Sequence, residues 1–275
     1  MTQRRAPLEY NRMWQMRLWL FGVFFFLYAP LVALVAFSFN NSKRNTVWRG
    51  FTFDYYVKLF NDQDLLIAFA NSLTIALIAT MISLVIGALA AVLLWRYRFI
   101  GRTVVEGTFM LPLVVPEICM GVAMLLFFTR VLPWPNNLFW PFSLGSIIIA
   151  HVSFCFPFVA LVVGARLTSF NKEQEEAARD LGANDWQAFR DVLLPHIHPA
   201  LIAGGLLAFT LSLDDFVITF FTSGPDTVTF PVKVYSMLRF SVTPEVNAAS
   251  TMLILVTIVL MALMMVMQGR AQKKG

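Results

Sequence analysis

Apolar runs of about twenty residues recur along this chain, and a helix needs that length to cross a hydrocarbon core roughly 30 Å thick. With 58% of residues hydrophobic and only 13% charged, the composition excludes an ordinary soluble domain. Backbone amides cannot be left unpaired in lipid, so runs of this length and continuity predict helices. We place six spans, at about 18–39, 68–94, 108–128, 144–165, 199–222 and 248–267, in an all-α integral membrane fold forming a single transmembrane domain over 1–275. The first run follows Arg17 and exceeds the apolar core of a signal peptide, so it reads as an uncleaved span.

The connections carry their own signals. Residues 40–67 are polar but rich in aromatics (Trp48, Phe51, Phe53, Tyr55, Tyr56, Phe60), which predicts a short helix lying at the membrane surface. Pro112 and Pro116 interrupt the third span, and the carbonyls they free need partners, so that helix is expected to face the bundle. Residues 131–142, with Trp134 and Trp140, and 223–247 read as loops. Cys119 and Cys155 lie in apolar runs and read as small core residues. With six spans both termini share a side. That side collects fourteen Lys and Arg against seven on the other, so the positive-inside bias assigns the termini and the connection after span four to the cytoplasm.

That connection, Asn171 to Pro195, is the most structured polar stretch. Asn171 is placed to cap a first short helix, whose opening turn is acidic; Asn184 with Gln187 has the spacing of a capping box for a second. Gly182 supplies the positive φ that ends the first helix, and Pro195 is expected to stop the second. Trp186, Phe189 and Leu193 recur at i, i+3 and i+7 as an apolar stripe, and Ala177 and Ala178 leave room for close approach. The segment is a helix-turn-helix hairpin suited to docking in a groove; its competing reading is a solvated loop.

Glu176-Ala177-Ala178, three residues, Gly182, nine residues and Val192-Leu193-Leu194-Pro195 resemble the EAA loop of binding-protein-dependent ABC importer permeases, with Val in place of Ile. The resemblance implies a type I importer permease fold. It also implies that the hairpin is a cytoplasmic coupling element, with Glu176, Ala177, Ala178, Gly182, Trp186, Phe189 and Pro195 meeting a separate ATP-hydrolysing subunit.

Acids at membrane depth cost about 2.5 to 3.5 kcal/mol each to insert, so Glu117, Asp214 and Asp215 call for a reason. On one continuous helix Ala208, Ser212, Asp215, Thr219 and Thr222 form a small and polar stripe, read as the wall of a water-filled path; Asp214 lies about 100° round the helix. Acids with almost no interior cations favour a cationic solute. Tyr55 and Trp48 are candidate aromatic faces near its mouth, or interface anchors. The competing reading of each acid is a helix-packing hydrogen bond. His151 reads as a packed, hydrogen-bonded residue without an assigned role.

Five stretches, Trp95–Phe99, Pro116-Glu117, Ala150–Cys155, Phe209–Asp215 and Ser241–Ala248, are similar to the spermidine/putrescine permeases of bacterial inner membranes, over nearly the whole chain. Glu117 stands where such permeases often have Asp. The resemblance implies a second permease subunit, two ATP-binding cassette subunits and a periplasmic polyamine-binding protein, with no nucleic acid. It implies no cofactor on this chain, ATP and Mg belonging to the partner ATPase.

Other classes fit less well. The chain has no G-x-x-x-x-G-K-[ST] phosphate loop, no H-E-x-x-H and no Cys/His metal spacing, so no catalytic or metal residues are assigned. An intramembrane aspartyl protease needs acids converging from different helices, whereas Asp214 and Asp215 are adjacent. An ABC permease for another small solute and an ion-gradient-driven secondary transporter are the alternatives, although the latter is usually marked by inverted repeats with matched helix breaks. A scaffold or receptor subunit is a third.

Overall fold

The computed structural model describes residues 14–42, 47–131, 142–240 and 244–272. The basic stretch 1–13, Lys43 and Arg44, the loop with Trp134 and Trp140, residues 241–243 of the motif before span six, and Lys273 and Lys274 lie outside the described residues.

The chain packs as two units, one of residues up to 62 with 237–254, the other of 63–236 with 255 onwards. Among the described residues five helices are long and apolar enough to cross a membrane, and six if a bent pair counts as one span.

The first unit opens with α1 (Trp14–Phe37), a Phe-rich helix that buries none of its side chains. The aromatic connection then closes on itself. Asn40 pairs with Phe51 in an isolated antiparallel bridge, and the Asn40 side chain donates to the Val47 carbonyl (2.8 Å) and accepts from the Arg49 amide (2.8 Å). Phe39 sits among Phe51, Phe53 and Tyr56 at 5.1–5.4 Å between ring centres, the range for edge and offset contacts. The expected short helix is α2 (Asp54–Asn61).

In the second unit α3 (Gln63–Arg96) and α6 (Leu144–Leu167) form the spine. The buried face of α3 is built from small residues at helical spacing, Ser72, Ala76, Ala79, Thr80, Ser83, Gly87 and Ala91, which lets backbones approach where lipid supplies no hydrophobic drive. At Gly87 a Cβ would come within 2.7 Å of the Phe156 carbonyl oxygen and of Val159, so this crossing requires glycine.

Span three is a bent pair rather than one interrupted helix. α4 (Arg102–Val114) and α5 (Glu117–Leu126, extended by a π turn over Phe127–Val131) meet at 111°. Val115 (ψ 131) and Pro116 (ψ 138) are both extended, because the proline ring pushes its predecessor out of the helical region. Each half is roughly 20 Å long, too short to span alone. The expectation that this span faces the bundle is not met within the chain, since α4 buries none of its residues and α5 buries Gly121 alone. Cys119 on α5 is correspondingly exposed, while Cys155 is buried in the core.

Two further expectations are corrected. Pro195 does not stop the hairpin's second helix: α8 (Asp185–Ala188) runs through a π turn (Phe189–Leu193) into α9 (Leu194–Leu213), with Pro195 in the first turn of α9. A proline there lacks only a donor that the preceding wide turn has already taken out of α register. The loop 223–247 also contains a helix, α11 (Phe230–Phe240), anchored where the Phe230 amide donates to Ser72 Oγ at 2.9 Å. The chain ends with α12 (Pro244–Gln272).

Candidate functional site: a docking hairpin and a pair of helix breaks

The first helix of the hairpin, α7 (Glu173–Asp180), ends as its sequence dictates. Gly182 takes φ +93°, its amide donates to the Arg179 carbonyl (2.9 Å), and the Ala183 amide donates to the Ala178 carbonyl (3.0 Å). This pair of bonds is a Schellman motif. Asn184 accepts from the Gln187 amide (2.8 Å) while the Gln187 side chain accepts from the Asn184 amide (2.9 Å), completing the capping box. Asn171 acts slightly differently from expectation: its side-chain Oδ1 accepts from the Glu173 amide (3.0 Å), forming a turn just ahead of the helix.

The expected apolar stripe divides. Leu193 is fully buried in the core and Phe189 is half-buried, whereas Trp186 stacks on Phe189 (5.6 Å between centres, 26°) and stays 65% exposed. Leu181, at the end of the hairpin's first helix, is 90% exposed. Ala177, Gly182 and Glu176 are also exposed and Ala178 is half-buried. An exposed Trp and Leu on a rigidly capped polar hairpin form a small apolar surface presented outward.

A second site lies where α9 stops. The helix ends at Leu213 and resumes as α10 (Val217–Thr222), so the stripe expected on one continuous helix is interrupted at 214–216. Its members do not line an open path in this chain, because Ala208, Ser212, Asp215, Thr219 and Thr222 are all buried. Asp215 starts α10 by accepting from the amides of Ile218 (3.3 Å) and Thr219 (2.8 Å), and its Oδ2 also accepts from Thr219 Oγ1 (2.8 Å). Since Thr219 spends its hydroxyl proton there, it accepts from His151 Nε2–H (2.9 Å), leaving Nδ1 to face Ser212 Oγ at 2.7 Å. His151 Nε2 is also 3.4 Å from Asp215 Oδ2, and both side chains are at most 3% exposed. His151 was legible as a packed residue, but its partners lie 61 to 68 residues away and left no local signal.

The break separates the two acids. Asp215 turns inward, whereas Asp214, whose amide still donates to the Thr210 carbonyl, remains exposed. Glu117 is exposed in the first turn of α5, where the positive end of the helix favours a carboxylate, and α5 packs on α10 with Phe221 against Gly121. Two carboxylates therefore sit at two breaks in apolar helices, an arrangement in which freed backbone groups and half-helix ends meet a polar lumen.

Tyr55 and Trp48 belong to the other packed unit. Tyr55 is buried, its hydroxyl donating to the Ser42 carbonyl (2.9 Å), so it holds the aromatic connection together rather than offering a face. Trp48 is half-exposed, edge-on to Phe37. Sequence reasoning missed Glu175, a buried carboxylate beside Glu176 that is gripped by Arg96 (2.8 Å) and Arg179 (3.0 Å). Its charge on an otherwise wet helix gave no hint of burial.

Apolar spans, short helices broken at carboxylates, and an outward-facing capped hairpin between spans four and five are the features of a membrane transport subunit. Residues 83–274 match the model of the binding-protein-dependent transport system inner membrane component family, and the chain belongs to that family. It is a multi-pass inner-membrane transport component. The chain is 38% identical over 246 residues to the spermidine/putrescine transport system permease protein PotC of Haemophilus influenzae, covering 89% of this chain and 92% of the relative. It is 43% identical over 244 residues to the putrescine transport system permease protein PotI of Escherichia coli K12, covering 88% and 85%. Its fold is that of a chain in a bacterial ABC transporter that imports the acidic polysaccharide alginate, with a TM-score of 0.76 at 19% identity over 96% of this chain and 97% of that one.

Proposed function

We propose that this chain is a permease subunit of an ATP-driven importer that carries polyamines, spermidine or putrescine, into the cytoplasm. The observation that carries the substrate reading is the pair of exposed carboxylates, Glu117 and Asp214, at two neighbouring helix breaks. An aliphatic chain bearing spaced ammonium groups needs successive anionic stops, each weak enough to release it onward. Relatives named for spermidine and putrescine at 38% and 43% identity support the same class. An anionic solute would meet repulsion at both stops.

In this reading the hairpin faces the cytoplasm with both termini, as the basic residues favour, and Leu181, Trp186 and Phe189 enter a cleft on the ATPase. The partners are a second permease subunit, two ATP-binding cassette subunits and a periplasmic polyamine-binding protein. ATP and Mg act on the cassette subunits, and this chain carries no cofactor. Asp215 serves the path indirectly by fixing the break, and Trp48 is the remaining aromatic candidate near the mouth.

Uptake of labelled putrescine and spermidine in cells lacking their own systems tests the substrate. Glu117→Gln and Asp214→Asn should each lower polyamine uptake while binding to the periplasmic receptor stays unchanged. Normal uptake in the doubly neutralised variant would remove the cationic-path reading. Labelling of Gln187→Cys from the periplasmic side alone would overturn the orientation.

A further inference from the structure

α3 is held at both of its ends by groups from other elements. Its last residue, Arg96, places Nη2 2.8 Å from Glu175 Oε1 on α7. The same oxygen accepts from Arg179 (3.0 Å), and Arg179 continues to Asp185 Oδ1 (2.9 Å) across the hairpin turn. Trp95 seats the joint from the other side, edge-on to Phe170 at 5.6 Å and with Lys172 Nζ 5.0 Å from its ring centre. A cavity of about 180 Å³ remains between the end of α3 and α7. At the opposite end, roughly 45 Å away along the helix, Asp64 pairs with Lys233 (2.9 Å), Asn71 donates to the Val228 carbonyl (3.1 Å) and Ser72 accepts from the Phe230 amide (2.9 Å). Between these grips α3 is locked against α6 at the Gly87 crossing, so it cannot slide or bend freely there.

The two helices of the hairpin therefore leave it by different routes. The second is covalently continuous with α9, whereas the first, joined to α6 by the short linker 168–172, also grips α3 through the buried Glu175 carboxylate that Arg96 and its own Arg179 share. Glu175 is 7% exposed, and a charge so buried persists only if its partners stay in place.

We infer that Arg96 and Glu175 are positioning residues that join the hairpin to α3, making α3 the rod that carries hairpin movement to the 228–233 segment at its far end. The inference rests on the reading of the hairpin as the ATPase contact. A contiguous chain of ion pairs and a rigid helix is a physical route for coupling between distant sites.

The test uses the complete importer, with Arg96→Gln, Glu175→Gln, the double variant and Arg96→Lys. Readouts are solute transported per ATP hydrolysed and co-purification of the ATPase subunits. Each single Gln variant should retain the ATPase at wild-type stoichiometry and keep hydrolysing ATP, while solute moved per ATP falls about tenfold. The double variant should be no worse than the more damaging single, because one joint can be removed only once. Arg96→Lys should recover most of the loss. Transport per ATP within twofold of wild type in both singles, multiplied losses in the double, or ATPase loss in proportion to transport would each overturn the inference. Gly182→Val separates the two failures. If it uncouples while Arg96→Gln is silent, the joint is wrong and the hairpin reading stands; if both are silent, the hairpin reading falls and takes the joint with it.

Discussion

Two helix starts in this molecule use the same device at very different stakes. Asn184 opens α8 with a neutral amide in solvent, and Asp215 opens α10 with a carboxylate buried beside His151. At Asn184 water can replace any bond that is lost. At Asp215 the Ile218 and Thr219 amides, the Thr219 hydroxyl and the neighbouring His151, itself paired with Ser212, stand in for water, so the cap and the buried histidine form one unit. The comparison separates residues that hold the permease together from residues it presents to others; the sequence reading puts Asp215 on the path with a packing hydrogen bond as its alternative, and the structure shows it buried and hydrogen-bonded.

Asp215→Ala breaks this contrast most severely. It leaves the Ile218 and Thr219 amides and the Thr219 hydroxyl short of an acceptor, and takes the carboxylate from beside His151; breaking such a buried network costs about 3 to 5 kcal/mol. The solubilised assembly should melt well below wild type, with less protein in the membrane. Asp215→Asn retains an acceptor and its shape, and should lose about 1 to 3 kcal/mol. Wild-type melting of both variants would show that the buried pair does not hold the break.

Trp186→Ala probes the presented side. As an exposed aromatic anchor its truncation should cost about 2 kcal/mol of docking, roughly a thirtyfold weaker hold on the ATPase, with melting unchanged. Uptake should fall with it. Equal loss of melting temperature would mean that Trp186 is structural after all.

Asp214→Asn discriminates between the neighbours in the acid pair. Removing a charge that meets the solute should lower uptake about tenfold or more while stability stays near wild type, opposite to Asp215→Asn. A stability loss matching that of Asp215→Asn would erase the distinction drawn between them.

What was legible follows from range. The Schellman turn at Gly182 and the capping box at Asn184 are closed by residues three to five positions apart, so spacing sufficed. The break after Leu213 contains no proline or glycine; Asp215 and Thr219 there read equally well as a stripe, because the partner that turns them inward is on α6. Pro116 announced a break but not its 111° angle, since α4 packs on α6 and α5 chiefly on α10, elements distant in sequence. Glu175 was hidden for a similar reason, since Arg96 lies 79 residues away.

Asn184→Ala has the smallest expected effect and tests the comparison from its weaker side. The substitution removes the acceptor for the Gln187 amide but leaves the Gln187 side chain able to reach back to residue 184, so half of the box survives. Exposed caps of this kind are worth about 1 kcal/mol. The helix they start is held independently, because Ala188 and Leu193 are buried and the chain continues without interruption into α9. The loss should therefore be confined to the hairpin, appearing as faster amide exchange at 184–187 and an uptake reduction of less than about threefold, with global melting unchanged. Asn184→Ser, which restores an acceptor, should return both to wild type. If instead Asn184→Ala lowers global melting as far as Asp215→Ala, the hairpin belongs to the packed core, and exposure has not separated the two caps.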